Sequence, residues 1–160
     1  MLRNPWTRIT HTMKDIQKVE LLKSEYLHIQ RSLEDYDSRA LLLKIWANCF
    51  TISLMGFAFY LQKEILFLLP PLASAIFWLI ETQWKIFQYA HYDRAGRIEA
   101  FFSGKGNDIQ ALQIGEDWYK SLKKGGLLRF LKTALRMHVI LPHALLFLIS
   151  ILPFFLGLEG

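Results

Sequence analysis

Residues 41–81 read LLLKIWANCFTISLMGFAFYLQKEILFLLPPLASAIFWLIE. Two apolar runs, Ile45–Leu61 and Ile65–Ile80, are separated only by Gln62, Lys63 and Glu64. Each run is about 17 residues long, close to the ~20 that a helix needs to cross ~30 Å of hydrocarbon. A connection this short turns the second helix back antiparallel to the first. The stretch therefore predicts a transmembrane hairpin, with membrane segments at about 41–61 and 65–84.

Composition points the same way. The chain of 160 residues is 52% hydrophobic and 21% charged, and the charges lie outside the long apolar runs. That partition is the mark of a membrane protein, and the length suits one compact unit. The net charge of +5 could suggest nucleic acid, but flanking of apolar spans by Lys and Arg explains it without direct nucleic-acid binding. The single cysteine, Cys49, excludes a disulfide framework and a CxxC metal pair. Residues 1–44 are charged before any apolar run, unlike a cleavable signal peptide.

Outward from the hairpin, both helices continue into charged sequence. Val19, Leu22, Tyr26, Ile29, Leu33, Tyr36, Ala40 and Leu43 alternate spacings of three and four, and Ala47, Phe50, Leu54 and Phe57 keep that register into the first span. Lys18, Glu20, Lys23, Glu25, Arg31 and Glu34 occupy the opposite face. On the far arm Phe77, Ile80, Trp84, Phe87, His91, Arg94, Ile98 and Phe101 form a second seam. Either the seams pack on each other within one hairpin, or they join subunits. Pro70 and Pro71 suit a first helical turn, so residues 65–69 form a short outer turn and the continuous helix starts at Pro71.

The remaining segments divide by composition. Residues 1–13 read as an N-terminal arm, with Trp6 at the lipid headgroups or in an ordinary packing contact, and 14–102 as the long-helix hairpin. Residues 103–126 are a loop, SGKGND, followed by a weakly amphipathic helix with Ile109, Leu112, Tyr119 and Leu122 on one side. In residues 127–138, Leu128, Leu131 and Leu135 run beside Arg129, Lys132 and Arg136, a pattern suited to a helix on anionic lipid headgroups. Residues 139–160 form a third membrane segment, kinked or re-entrant because of Pro142 and Pro153. Lys and Arg number eight in residues 1–44 and ten in 81–138, against Lys63 alone in the turn. The N-terminus and both basic regions are then cytoplasmic, and the turn is outside.

Counting outward from Lys63 brings Lys44 level with Glu81, and Asp37 and Arg39 level with Lys85 to Tyr92. If the turn centres nearer Leu66, Asp37 reaches Arg94 instead. Charges at this depth need partners, so Asp37, Arg39, Lys44, Glu81, Lys85, His91 and Arg94 are the candidate interhelical or latch residues. Within the seam, His91 and Arg94 read first as residues that set register. Glu81 has the best case for function, against the plainer reading that it only pairs with Lys44. Trp46, Trp78 and Trp84 mark the same level as an aromatic belt.

Catalytic chemistry is missing. The chain has no HExxH, GxSxG or P-loop, and GKG at 104–106 lacks the spacing to cradle phosphate. His138 and His143 are five apart, about 140° around a helix, which is poor for one metal. They read as a headgroup-level histidine and one capping or packing near Pro142. The expectation is a protein with no catalytic residue, metal or cofactor.

Two patterns carry a resemblance. Glu25 and Tyr26, followed by Asp35, Asp37, Arg39, Leu43, Lys44 and Trp46, fit EY…DxDxRxxxLKxW. Phe77, Trp78, Glu81, Trp84, Lys85 and Gln88 fit FWxxExxWKxxQ, and the likeness extends to His138, Pro142 and His143. The chain thus resembles a group of small bacterial multi-span membrane proteins of uncharacterised function. In architecture it is similar to the SLATT-type two-transmembrane effectors of anti-phage systems. The resemblance implies antiviral defense through a pore or similar membrane lesion, with a separate cytoplasmic sensor protein as partner.

The resulting expectation is an all-α, homo-oligomeric, multi-pass protein of the bacterial inner membrane: a hairpin with long cytoplasmic extensions, an interfacial helix and a third membrane segment. It would act as a membrane-perturbing effector triggered through its cytoplasmic helices. The alternative is a non-enzymatic scaffold that anchors a partner at the membrane. A transporter ranks lower, since three spans are few for a substrate path, and an enzyme lowest.

Overall fold

The computed structural model describes the backbone of residues 5–157 and the side chains of residues 15–157. It is all-helical, with no strand among the described residues. Helix α1 (Pro5–Leu61) runs for 57 residues, α2 (Leu69–Phe102) for 34, and three shorter helices follow: α3 (Ile114–Lys123), α4 (Gly126–Ala134) and α5 (Met137–Leu156). Three stretches, Asp15–Leu61, Glu64–Phe102 and Met137–Leu156, are long and apolar enough to cross a membrane.

Local sequence explains the breaks. Pro5 opens α1, where a missing N–H costs nothing, and no Gly or Pro follows until Gly56. The helix therefore includes residues 5–13, which the sequence suggested as an arm; the Trp6 side chain lies outside the described residues. Gln62 ends α1 at φ 50°, donating its N–H to the Ala58 carbonyl at 3.0 Å. A 3₁₀ turn, Glu64–Leu68, leads into α2, which begins at Leu69 rather than Pro71 and keeps both prolines in its first turn. After Phe102 the chain doubles back tightly, and both Lys105 and Gly106 donate to the Ala100 carbonyl. A Cβ on Gly106 would lie 2.8 Å from the Ala100 carbonyl carbon, so this turn requires glycine.

The chain forms two compact units instead of the single one its length suggested. The first comprises Met1–Asp35 and Gln88–Lys123; the second comprises Tyr36–Phe87 and Lys124–Gly160. The division falls within α1 and α2 because each long helix contributes to two different cores.

In the first unit, Leu22, Ile29 and Leu33 of α1 pack on Ala95 and Ile98 of α2, flanked by Tyr26, Phe101, Ile109 and Ile114. The seam thus packs within one chain here. Glu25, placed by pattern on the polar face, is instead buried, because Arg94 needs a carboxylate there. Helix α3 also presents another face than its apolar spacing suggested. Leu112 and Tyr119 are exposed and Asp117 and Ser121 are buried, since Asp117 is drawn to Arg94.

In the second unit, α1 and α2 are antiparallel, as the ion pairs Asp37–Lys85 and Lys44–Glu81 require. Past Ala47 the heptad register fails: Thr51 and Ala58 are buried, whereas Phe50 and Phe57 are about half exposed. An α-helix of 3.6 residues per turn drifts by ~20° per heptad against a strict seven-residue repeat, so the buried stripe moves to the next residue. Helix α5 packs on the 3₁₀ turn through Phe154 against Phe67. It is one continuous helix despite Pro142 and Pro153. The 127–138 segment is split by a break at Leu135 and Arg136, so His138 belongs to α5.

Candidate functional site

The second unit carries polar groups in the interior and hydrocarbon on the exterior. Leu41, Ile45, Trp46, Ile52, Leu72 and Ile76 are among its exposed side chains, while Thr51, Ser74, Glu81, Thr82, His143 and Ser150 are buried. The polar residues recur at two-turn intervals, with Lys44 and Thr51 on α1, Ser74 and Glu81 on α2, and His143 and Ser150 on α5. Residues seven apart share a helix face, so each helix aims two polar groups at the same interior.

At the centre is Glu81, whose side chain is 0% exposed. Lys44 Nζ lies 2.9 Å from its Oε1, and His143 Nε2 lies 2.8 Å from Oε2. Oε1 has the ion pair and no separate hydrogen-bond donor. An ionised carboxylate only accepts, so His143 donates from Nε2; Nδ1 is buried without a hydrogen-bond partner among the described residues. With a neutral His143, the Glu81 and Lys44 charges cancel. A buried ion pair survives where additional donors satisfy its lone pairs, and His143 supplies one.

Backbone contacts fix this geometry. Ser74 Oγ donates to the His143 carbonyl at 2.8 Å, and Trp78 Nε1 donates to the Ala134 carbonyl at 3.0 Å, tying α2 to α5 and to the end of α4. Around Lys85, the ion pair to Asp37 is 2.8 Å, Trp84 Nε1 donates to the Tyr36 carbonyl, and the Tyr36 and Trp84 rings are 5.0 Å apart. Lys85 is buried and Asp37 is exposed.

The other candidate residues fall elsewhere. Arg94, in the first unit, does not meet Asp37. It makes a two-pronged contact with Glu25, Nε to Oε1 at 2.8 Å and Nη2 to Oε2 at 3.0 Å. It also bonds Asp117 at 3.0 Å and the Gln110 carbonyl at 2.7 Å. Arg97 approaches Asp117 at 2.6 Å, and the Leu112 N–H donates to Glu25. Arg94 would reach Asp37 only with a turn centred nearer Leu66; Asp37 instead pairs with Lys85, within the range counted from Lys63, and loop 103–113 and α3 bring Arg94 acceptors that counting along two helices cannot include. His91 lies beside Trp118, ring centroids 6.1 Å apart. Arg39 is exposed. Of the basic stripe, Arg129 is half-buried on α4, Lys132 is exposed there, and Arg136 is displaced from α4 to the N-cap of α5.

His143 is the residue beside Glu81 that sequence reasoning missed; it was assigned to capping or packing near Pro142. The signal was the polar pair His143 and Ser150, two turns apart in an otherwise apolar segment, matching Ser74 and Glu81. No group of three His, Cys, Asp or Glu side chains among the described residues is arranged to hold a metal. No protein-family model, curated protein or solved structure matches the chain.

Proposed function

We propose that the chain is an integral protein of the bacterial inner membrane that acts as an oligomeric, membrane-perturbing effector. The supporting observation is the second unit's inverted surface, with large aliphatic side chains outside and a buried Glu81–Lys44–His143 cluster inside. An apolar exterior of this extent marks a lipid-facing surface, and an ionisable group among apolar spans marks a functional one. On this reading α1, α2 and α5 meet the bilayer, the N-terminus is cytoplasmic by the positive-inside rule, and α4 lies among headgroups. A separate cytoplasmic sensor protein acts on the first unit. The ion cluster holds the resting state, and its separation exposes uncompensated charges that draw water inward.

The test is Glu81→Gln, which removes the charge and keeps the size. Cells producing parent or variant at matched levels are followed with a voltage-sensitive dye. The variant is expected to depolarise cells more than the parent, because the latch is weakened. If neither depolarises cells, even with the neighbouring genes present and the system triggered, the effector reading fails. The second reading, a scaffold that anchors a partner, then takes its place; the closed ion network of Arg94 in the first unit, a rigid platform, favours it.

A further inference from the structure

A cleft of about 290 Å³ opens between α2 and α5, walled by Ala75 and Trp78 on one side and Ile140, Ala144, Phe147 and Leu148 on the other. Small side chains make the room, since Ala75 and Ala144 leave a gap that Trp78 and Phe147 bound. Ser74 and His143 also line it, yet the cleft wall is almost entirely carbon. The polar atoms are engaged elsewhere: Ser74 Oγ donates to the His143 carbonyl, Trp78 Nε1 to the Ala134 carbonyl, and His143 Nε2 contacts Glu81. An occupant therefore meets hydrocarbon only. The volume sits at the lower limit of small-molecule pockets, about 300 Å³, which suits a slender chain better than a ring system.

Charge decides what that chain carries. Ile140, Ala144 and Leu148 line the cleft at intervals of four along α5, and Arg136, the N-cap of that helix, lies four residues before Ile140, at the end of α5 toward which this stripe leads. Lys132 lies on α4, which ends at Ala134, and both basic side chains are exposed. Leu128, Leu131 and Leu135 beside them are exposed as well. Cations at the start of α5 followed by an apolar cleft match the headgroup and acyl chain of an anionic lipid at a membrane surface.

We infer that this cleft holds one acyl chain of an anionic phospholipid whose headgroup rests against Lys132 and Arg136. This rests on the membrane reading above and adds to it a specific lipid site beside the Glu81 cluster. A chain seated against His143 supports the wall that holds this side chain on Glu81, so lipid occupancy and the latch are coupled.

The test is native mass spectrometry of the full chain, purified in detergent and supplied with phosphatidylglycerol or phosphatidylcholine of identical chains. The parent is expected to retain phosphatidylglycerol preferentially. Ala144→Leu, which fills the cleft, should abolish retention of both lipids; Ala75→Leu fills it from the opposite wall should the first variant fold poorly. Arg136→Gln should lower the preference for phosphatidylglycerol about fivefold, the effect of one basic side chain at an anionic surface. Equal retention of both lipids by the parent, or unchanged retention in both cleft-filling variants, overturns the inference. So does a change of subunit number in those variants with lipid retained, which would assign the cleft to a second copy of the chain. A parent that is soluble without detergent overturns the membrane reading and this inference together. A parent that needs detergent but retains no lipid overturns the lipid site alone.

Discussion

Each unit buries charge, but the two do so differently. Arg94 in the first unit is surrounded by acceptors: both oxygens of Glu25, one of Asp117 and the Gln110 carbonyl. Arg97 adds a second cation on Asp117, so two bases offset two acids. In the second unit the corresponding set is sparse. Glu81 Oε1 has only Lys44, and His143 Nδ1 and Thr51 Oγ1 have no hydrogen-bond partner among the described residues. A fully satisfied network fixes one arrangement, whereas a partly satisfied one leaves neighbouring arrangements close in energy. On the proposed reading, the first cluster serves architecture and the second is the latch.

Removing the centre of the satisfied network should have the largest effect. Arg94→Ala leaves Glu25 and Asp117 buried without their shared cation, at a cost of about 3–5 kcal/mol. Hydrogen exchange in α3 and thermal unfolding followed by circular dichroism measure it. Arg94→Lys should fall between parent and Arg94→Ala, because an ammonium cannot reproduce the planar fork. If Arg94→Ala unfolds like the parent, the network is not a structural clasp and the contrast between units collapses.

The sparse cluster predicts an effect of the opposite sign. Thr51→Val removes a buried hydroxyl that lacks a partner and preserves the side-chain shape, so it should stabilise the protein by about 1 kcal/mol. Thermal unfolding in detergent measures this. A loss of stability would show that the hydroxyl has a role in the folded state and that the contrast between the two clusters does not extend to Thr51.

The smallest effect sharpens the picture of the first unit's surface. Asp108 forms an ion pair with Lys18, and the hydrogen bond and positive charge from Lys18 hold its carboxyl below the usual aspartate range. A folded-state pKa below the unfolded value means that this pair adds stability above the unfolded pKa and loses it as pH falls through the folded one. Asp108 is exposed, so the contribution is slight and weakened by salt. An NMR titration of Asp108 should give a low midpoint that rises toward the ordinary value in Lys18→Gln. An identical midpoint in that variant would remove Lys18 as the cause.

The parts of the site that depend on neighbouring sequence were readable without coordinates. Two apolar runs with three residues between them determine a helical hairpin, and counting back from Lys63 brings Lys44 to Glu81, 2.9 Å apart in the fold. Leu22, Ile29, Leu33 and Ile98 were recognisable as core by their spacing, because burial on a helix repeats with its turn. Glu25, Asp117 and His143 were not. Each reads as an ordinary polar residue on its own helix, and each is buried only because a distant segment supplies its partner. The slip from Phe50 to Thr51 escaped for a related reason: a small drift per turn accumulates along a long helix before it changes which residue faces inward.

By itself, then, the sequence determined that the chain is helical, that three stretches are long and apolar enough to cross a membrane, and that α1 and α2 fold back on each other. These follow from periodicity, length and short connections, all local properties of the chain. Only the tertiary structure decided that Arg94 joins Glu25 and Asp117, that His143 completes the Glu81 pair, and that a cleft opens beside it. A buried charge is stabilised by whatever partner the fold brings within about 3 Å, and helices α3 and α5 bring theirs from 23 and 62 residues away.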